Sequence, residues 1–144
     1  MLLLGYAHAA DSLLEVSIVS ICRFTSIEFL LPSGKYSSMH RLDAPEVWYH
    51  HSGSTLQITE IEPSGAVHQT QLGPDPGQQL QHLVPPGRWF GARLSKPSPG
   101  SYALVGCAVA PGFDWQGFEM GSRADLCKLF PHATEEIHAL TAPT

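Results

Sequence analysis

A chain of 144 residues with 43% hydrophobic and 15% charged residues has the size and apolar content of one folded domain, which excludes a disordered tail. Its formal net charge of -5, with only eight Lys plus Arg scattered along it, leaves no basic stripe to follow a phosphate backbone, so nucleic acid is not an expected partner. No run approaches the ~18 apolar residues of a membrane span, so no membrane partner is expected either.

Taken in order, the chain opens on MLLLGYAHAAD. Ala7-His8-Ala9 offers small residues at cleavage-like spacing, but no basic residue precedes the leucines, so the segment does not read as a secretory signal. From about residue 15 to 115 short apolar stretches alternate with Pro and Gly: EVSIVSICRF, SIEFLL, EVWYHH, TLQITEI, AVHQTQL, QHLVP, WFGARL and YALVGCAVA. That rhythm predicts an antiparallel sandwich or barrel, with Pro63-Ser64-Gly65 as a hairpin turn. Period-two alternation puts Glu46, Trp48 and His50 on one strand face, opposite Val47 and Tyr49. The same rule groups Trp89, Gly91 and Arg93, with Arg93 expected to point outward as a solvated charge. Cys107 lies in an apolar strand, where a buried thiol behaves as a small inert hydrophobe. Pro111-Gly112 signals a turn, and Asp114 either caps it or faces the barrel mouth.

After Phe118 the periodicity becomes helical. SRADLCKLF places Ala124, Leu126, Cys127 and Phe130 near one face behind Ser122 as N-cap; Pro131 interrupts, and Ile137 and Leu140 of HATEEIHALT are expected to pack back on the sheet. The resulting division is an atypical segment 1–22, a barrel over 23–118, and a C-terminal helical segment 119–144 of the same domain. Three cysteines, Cys22, Cys107 and Cys127, are odd in number and lack CxxC spacing. They suggest neither a disulfide framework nor a zinc finger, and a reducing, cytoplasmic setting is the simpler expectation.

The densest chemistry is GKYSSMHRLDAPEVWYHHSG, residues 34–53. Its intervals run Gly34, five residues, His40, then Leu42, Glu46 and, six residues later, Gly53. Further on, Gly77 is followed by Pro85-Pro86-Gly87 and, two residues later, Phe90. These intervals resemble the two glycine-bounded motifs of the cupin superfamily, with Leu42 and Phe90 at positions where that pattern has histidine. HRLDAPEVWYHHSG, LVPPGRWFGARL and YALVGCAVAPGFDWQGFEMGSRADLCKLFP narrow the resemblance to the DUF985 group, also called Cupin_5. The resemblance implies a mainly β chain: an antiparallel double-stranded β-helix, jelly-roll-like and similar in fold to RmlC-type epimerases, with one or two short C-terminal helices. It also implies a homodimer, with no well-established reaction. The group usually begins with a helix and a segment like HPEGGYYRE, from which residues 1–22 depart.

The resemblance makes His40 and Glu46 the candidate catalytic residues, with Trp48, His50 and Trp89 as candidate pocket residues. A cupin metal commonly takes three His and one Glu, and leucine and phenylalanine donate no electron pairs. No cofactor is therefore expected; a divalent transition metal, were one found, would use His40 and Glu46 with recruits such as His50 or His82. The pair suits proton transfer beside a carbonyl or hydroxyl, the step of a carbohydrate isomerase or epimerase, and Trp48 and Trp89 offer flat faces for a sugar ring. The expected ligand is a small polar molecule, sugar-like or nucleotide-linked. A non-catalytic ligand-binding or dimerisation module stands beside that reading, with His40 and Glu46 merely satisfying each other or the backbone. A metal-dependent cupin enzyme ranks below both.

Overall fold

The computed structural model describes residues 2–4, 17–21 and 23–143; the expectations for the leading segment, Cys22 included, otherwise lie outside the described residues. Strand alternation sets the architecture. In β3 (Phe24–Pro32) Phe29 and Leu31 are buried while Leu30 between them is 44% exposed, so one face turns inward and the other outward. The remaining strands are β1 (Leu2–Leu4), β2 (Ser17–Ile21), β4 (Tyr36–Leu42), β5 (Glu46–Gly53), β6 (Leu56–Ile61), β7 (Val67–Leu72), β8 (Gln81–Val84), β9 (Trp89–Leu94), β10 (Tyr102–Val109) and β11 (Phe118–Met120). They form two antiparallel sheets, one ordered β1-β2-β3-β10-β5-β8 and the other β11-β4-β9-β6-β7. This is the mainly β, two-sheet architecture expected from the sequence.

The facing sides of the sheets enclose a core that includes Leu31, Trp48, Leu56, Ile58, Phe90 and Val105. A second core lies on the outer side of the second sheet. There α1 (Arg123–Leu129) and α2 (Thr134–Ala139) bring Leu126, Phe130, Ile137 and Leu140 against Met39, Ile61 and Trp89. Ser122 caps α1 as expected, its hydroxyl accepting from the Asp125 amide at 3.3 Å. Ala124, placed on the packing face by periodicity, is exposed. The helix is only seven residues long and meets the sheet through its later turn.

The hairpin predicted at Pro63-Ser64-Gly65 joins β6 to β7, with Gly65 at φ 92° and its amide donating to Glu62 O at 2.8 Å. One irregularity positions the site. Between Ser37 and His40 the register of β4 against β9 slips, so the strand carries an extra residue there and bends locally. Gly91 permits it: a Cβ at Gly91 would stand 2.7 Å from Ser37 O and 3.2 Å from Met39 N. The slip leaves Met39 packed against the helices and His40 directly opposite Phe90.

Candidate functional site

His40 on β4 and Glu46 on β5 come from different sheets, and the barrel brings them together. Nε2 of His40 lies 3.8 Å from Oε2 of Glu46, with side-chain exposures of 12% and 9%. His40 Nδ1 is 2.7 Å from Ser38 O. A carbonyl oxygen only accepts, so Nδ1 carries a proton and Nε2 is the nitrogen free to take or give one toward the interior. The imidazole is braced by Phe90 at 4.2 Å and Phe118 at 5.5 Å between ring centroids.

Among the described residues, two polar atoms on this wall are buried without a hydrogen-bond partner: Oε2 of Glu46 and Nε1 of Trp48. They belong to residues two apart on the same inward face of β5, both buried. One is an acceptor and the other a donor. Unpaired buried groups of this kind are rare and cost roughly 1–3 kcal/mol each. Cys107, opposite Trp48 in the register, is buried, and its thiol is pushed well up, first by burial and then by the charge of and hydrogen bond to Glu46. It stays a thiol rather than a nucleophilic thiolate, in line with the inert role expected of it.

Other expected members are placed elsewhere. Trp89 does not line the barrel interior. It is adjacent to Phe90, and neighbours on a strand point to opposite faces; it packs in the outer core under the Arg41 guanidinium, 4.8 Å from its ring centroid. His50 lies four residues beyond Glu46, roughly 13 Å along the strand, and its Nε2 is 3.3 Å from Ser54 O. It is not brought to the pair. Arg93 is exposed, as expected, and Asp114 caps the turn Trp115–Gly117 by accepting from the Gln116 amide at 3.0 Å.

A second interior cluster lies outside the motifs. Glu60 on β6, with its side chain 1% exposed, accepts from His82 Nε2 at 2.5 Å and from Arg88 Nη1 at 3.1 Å. Arg88 Nη2 continues to Glu62 at 2.6 Å, and Glu62 pairs with His68 at 2.9 Å. His82 sits on β8 of the first sheet and Glu60 on β6 of the second, so the network ties the two sheets. Burial works to raise the Glu60 pKa, but hydrogen bonds from His82 and Arg88, and their charges, outweigh it and hold the carboxyl below its ordinary value. The signal was present in TLQITEI: Leu56, Ile58 and Glu60 share a phase, so the acid stands where an inward apolar residue belongs.

The metal chemistry associated with cupins does not fit these residues. Leu42 and Phe90, 5% and 1% exposed, occupy the positions where the motifs have histidine. His82 is engaged by Glu60, and among the described residues no three His, Cys, Asp or Glu side chains converge in an arrangement that could hold a metal ion.

A family model described as Cupin_5, Cupin superfamily (DUF985), matches residues 21–121. Among solved structures, a Shewanella oneidensis protein is 34% identical with a TM-score of 0.80, over 97% of this chain and 86% of that one. A hypothetical protein from Leishmania major is 28% identical with a TM-score of 0.78, over 99% of this chain and 88% of that one. Oxalate decarboxylase from Bacillus subtilis shares the fold at 12% identity and a TM-score of 0.64, over 96% of this chain and 38% of its own; that protein has Mn(II) centres. No curated protein matches the chain. Among the described residues no helix is long and apolar enough to cross a membrane.

Proposed function

The chain belongs to the Cupin_5 family (DUF985) of the cupin superfamily, and from that premise we propose that its barrel binds a small, sugar-like molecule at His40 and Glu46 and isomerises it by proton transfer. The observation that carries this reading is the pair of buried, unpartnered polar atoms, Glu46 Oε2 and Trp48 Nε1, beside His40 Nε2. Their complement is a ligand with both a hydroxyl to give and a carbonyl oxygen to receive, which is the reacting end of an open-chain sugar.

On such a ligand His40 Nε2 takes the proton from the carbon beside the carbonyl, and the resulting imidazolium returns it to the former carbonyl carbon of the enediol. Glu46 takes the hydroxyl proton and delivers it to the carbonyl oxygen. Two protons move, none is lost, and no oxidant or metal enters the balance. Fixing Nδ1 on Ser38 O keeps the ring oriented through the cycle.

The test is solvent exchange. Aldoses, ketoses and a nucleotide-linked keto sugar, incubated with the protein in deuterium oxide, are followed by proton NMR at the carbon beside the carbonyl. Deuterium uptake by one of them is expected, with the rate falling about a hundredfold or more in Glu46→Gln and in His40→Gln. Binding without exchange, unchanged by Glu46→Gln, would replace the enzyme with a plain binding module.

A further inference from the structure

The segment that leaves β10 carries three aromatic residues in six positions, Phe113, Trp115 and Phe118. Their rings form a closed cluster, with centroid distances of 5.0 Å for Phe113–Trp115, 5.5 Å for Trp115–Phe118 and 5.8 Å for Phe113–Phe118, all edge-to-face. The cluster abuts the candidate site, since Phe118 is itself 5.5 Å from the His40 ring. Of the three tryptophans, Trp48 and Trp89 are 2% and 8% exposed, whereas Trp115 is 67% exposed.

Held geometry distinguishes this exposed indole from an ordinary surface residue. The Phe113 amide donates to Thr25 Oγ1 at 2.9 Å, Asp114 caps the turn, and the Asp43 amide donates to Gly117 O at 3.0 Å. The Asp43 carboxylate lies against Gly117 so closely that a Cβ there would meet Oδ1. The ring is therefore presented in a fixed orientation, at little entropic cost on binding. Two ring steps of 5.5 Å each connect it to the imidazole that faces the unpartnered Glu46 oxygen.

We infer that Trp115 is a stacking subsite for a second ring of the ligand, so that the molecule bound has a hydroxylated head at His40 and Glu46 joined to a flat ring lying on the indole. This rests on the proposed function of the pair and names the substrate class more narrowly. The shared chemistry is a ring face that packs on an indole, offered by an aryl group or by the CH-rich face of a second pyranose.

The experiment compares one-ring and two-ring ligands bearing the same reducing head: glucose against cellobiose and 4-O-benzylglucose, with the galactose and mannose series in parallel. Affinities are measured by isothermal titration, and acrylamide quenching of intrinsic fluorescence reads Trp115, the exposed indole. In at least one series the two-ring ligand is expected to bind roughly two- to tenfold tighter than its one-ring counterpart, the range one aromatic contact supplies, and to shield Trp115 from acrylamide. Trp115→Ala should erase that advantage and leave one-ring binding unchanged, while Trp115→Phe restores part of it. The better partner, aryl or pyranose, identifies the second ring. Equal affinities across every series, an advantage that survives Trp115→Ala, or no binding by any of them overturns the inference. A two-ring advantage that depends on Trp115 but ignores Glu46→Gln keeps the subsite and removes the proposed role of the pair; the opposite pattern keeps the pair and removes the subsite.

Discussion

Single residues carry the electrostatic character of this barrel, and Glu60 is the clearest case. Its carboxylate is buried between His82 and Arg88, so Glu60→Gln removes the charge and leaves one of the two donors facing an amide NH2 instead of an acceptor. Glu60→Gln is expected to cost about 3 kcal/mol of unfolding free energy, the scale of breaking a buried ion pair, read by urea denaturation at pH 7. The pH dependence follows from the same contacts. The folded carboxyl titrates below its ordinary value of 4.5 because His82 and Arg88 outweigh the effect of burial. Above that value both folded and unfolded chains carry the charge, and the full stabilisation is present. As pH falls through and below 4.5, the unfolded chain binds a proton first, so stability drops until the folded carboxyl titrates too. The gap in stability between wild type and Glu60→Gln should therefore be widest near neutrality and shrink in acid below pH 4.5; a gap that stays constant between pH 3 and pH 7 would contradict this account. Leu42 and Phe90 act at the same scale. Side chains without lone pairs beside His40 and Glu46 predict that protein dialysed against Mn(II) and then against buffer retains well under one equivalent by elemental analysis.

At the level of elements, the slip in β4 connects packing to the site. It turns Met39 toward the helices and His40 toward the interior, and it exists because Gly91 lets Ser37 O and Met39 N approach. Gly91→Ala would overpack that crossing, costing about 1–3 kcal/mol and displacing His40. Thermal melts should show the loss, and the deuterium exchange proposed for the pair should fall even at temperatures where the variant is folded. The same elements show what sequence reading could reach. The intervals from Gly34 to Gly53 marked His40 and Glu46 because cupin motifs fix strand positions, and Ser122, Pro131 and the Pro63-Ser64-Gly65 turn marked themselves through local backbone chemistry. Trp89 cannot be phased from composition because β9 is apolar on both faces: Phe90 fills the barrel while Trp89 lies under α1. Yet Phe90 in a ligand position already implied that Trp89 points away. The Glu60 network is hidden in the sequence for a related reason. Ile61 is buried by the helices as fully as Ile58 is by the barrel, which blurs the alternation that would have exposed an inward acid. Its partners His82 and Arg88 lie more than twenty positions downstream, and no short motif links them.

For the whole molecule, the two sheets differ in how their outer faces are covered. The second sheet is roofed by α1 and α2. On the first, alternation that turns Leu31, Trp48 and Val84 inward turns Leu30, Tyr49, Leu83 and Tyr102 outward, and these are 44%, 38%, 53% and 44% exposed. The strands bearing them, β3, β10, β5 and β8, are consecutive in the sheet, so the four lie on one face, interrupted by a polar row that carries exposed Glu28 and Gln81 beside Tyr49, and large apolar side chains gathered within a polar surround mark an interaction surface. We propose that a second copy of the chain covers it as a homodimer. A two-fold contact is self-complementary, so each substitution counts twice at the interface, and a charge placed within it is buried against the partner copy. Light scattering should give a mass of twice the 15.6 kDa chain, and Leu83→Glu should halve it while leaving the far-ultraviolet circular dichroism unchanged. Wild type at the mass of one chain would show that this face is solvated, whereas a dimer untouched by Leu83→Glu would place the contact on another surface.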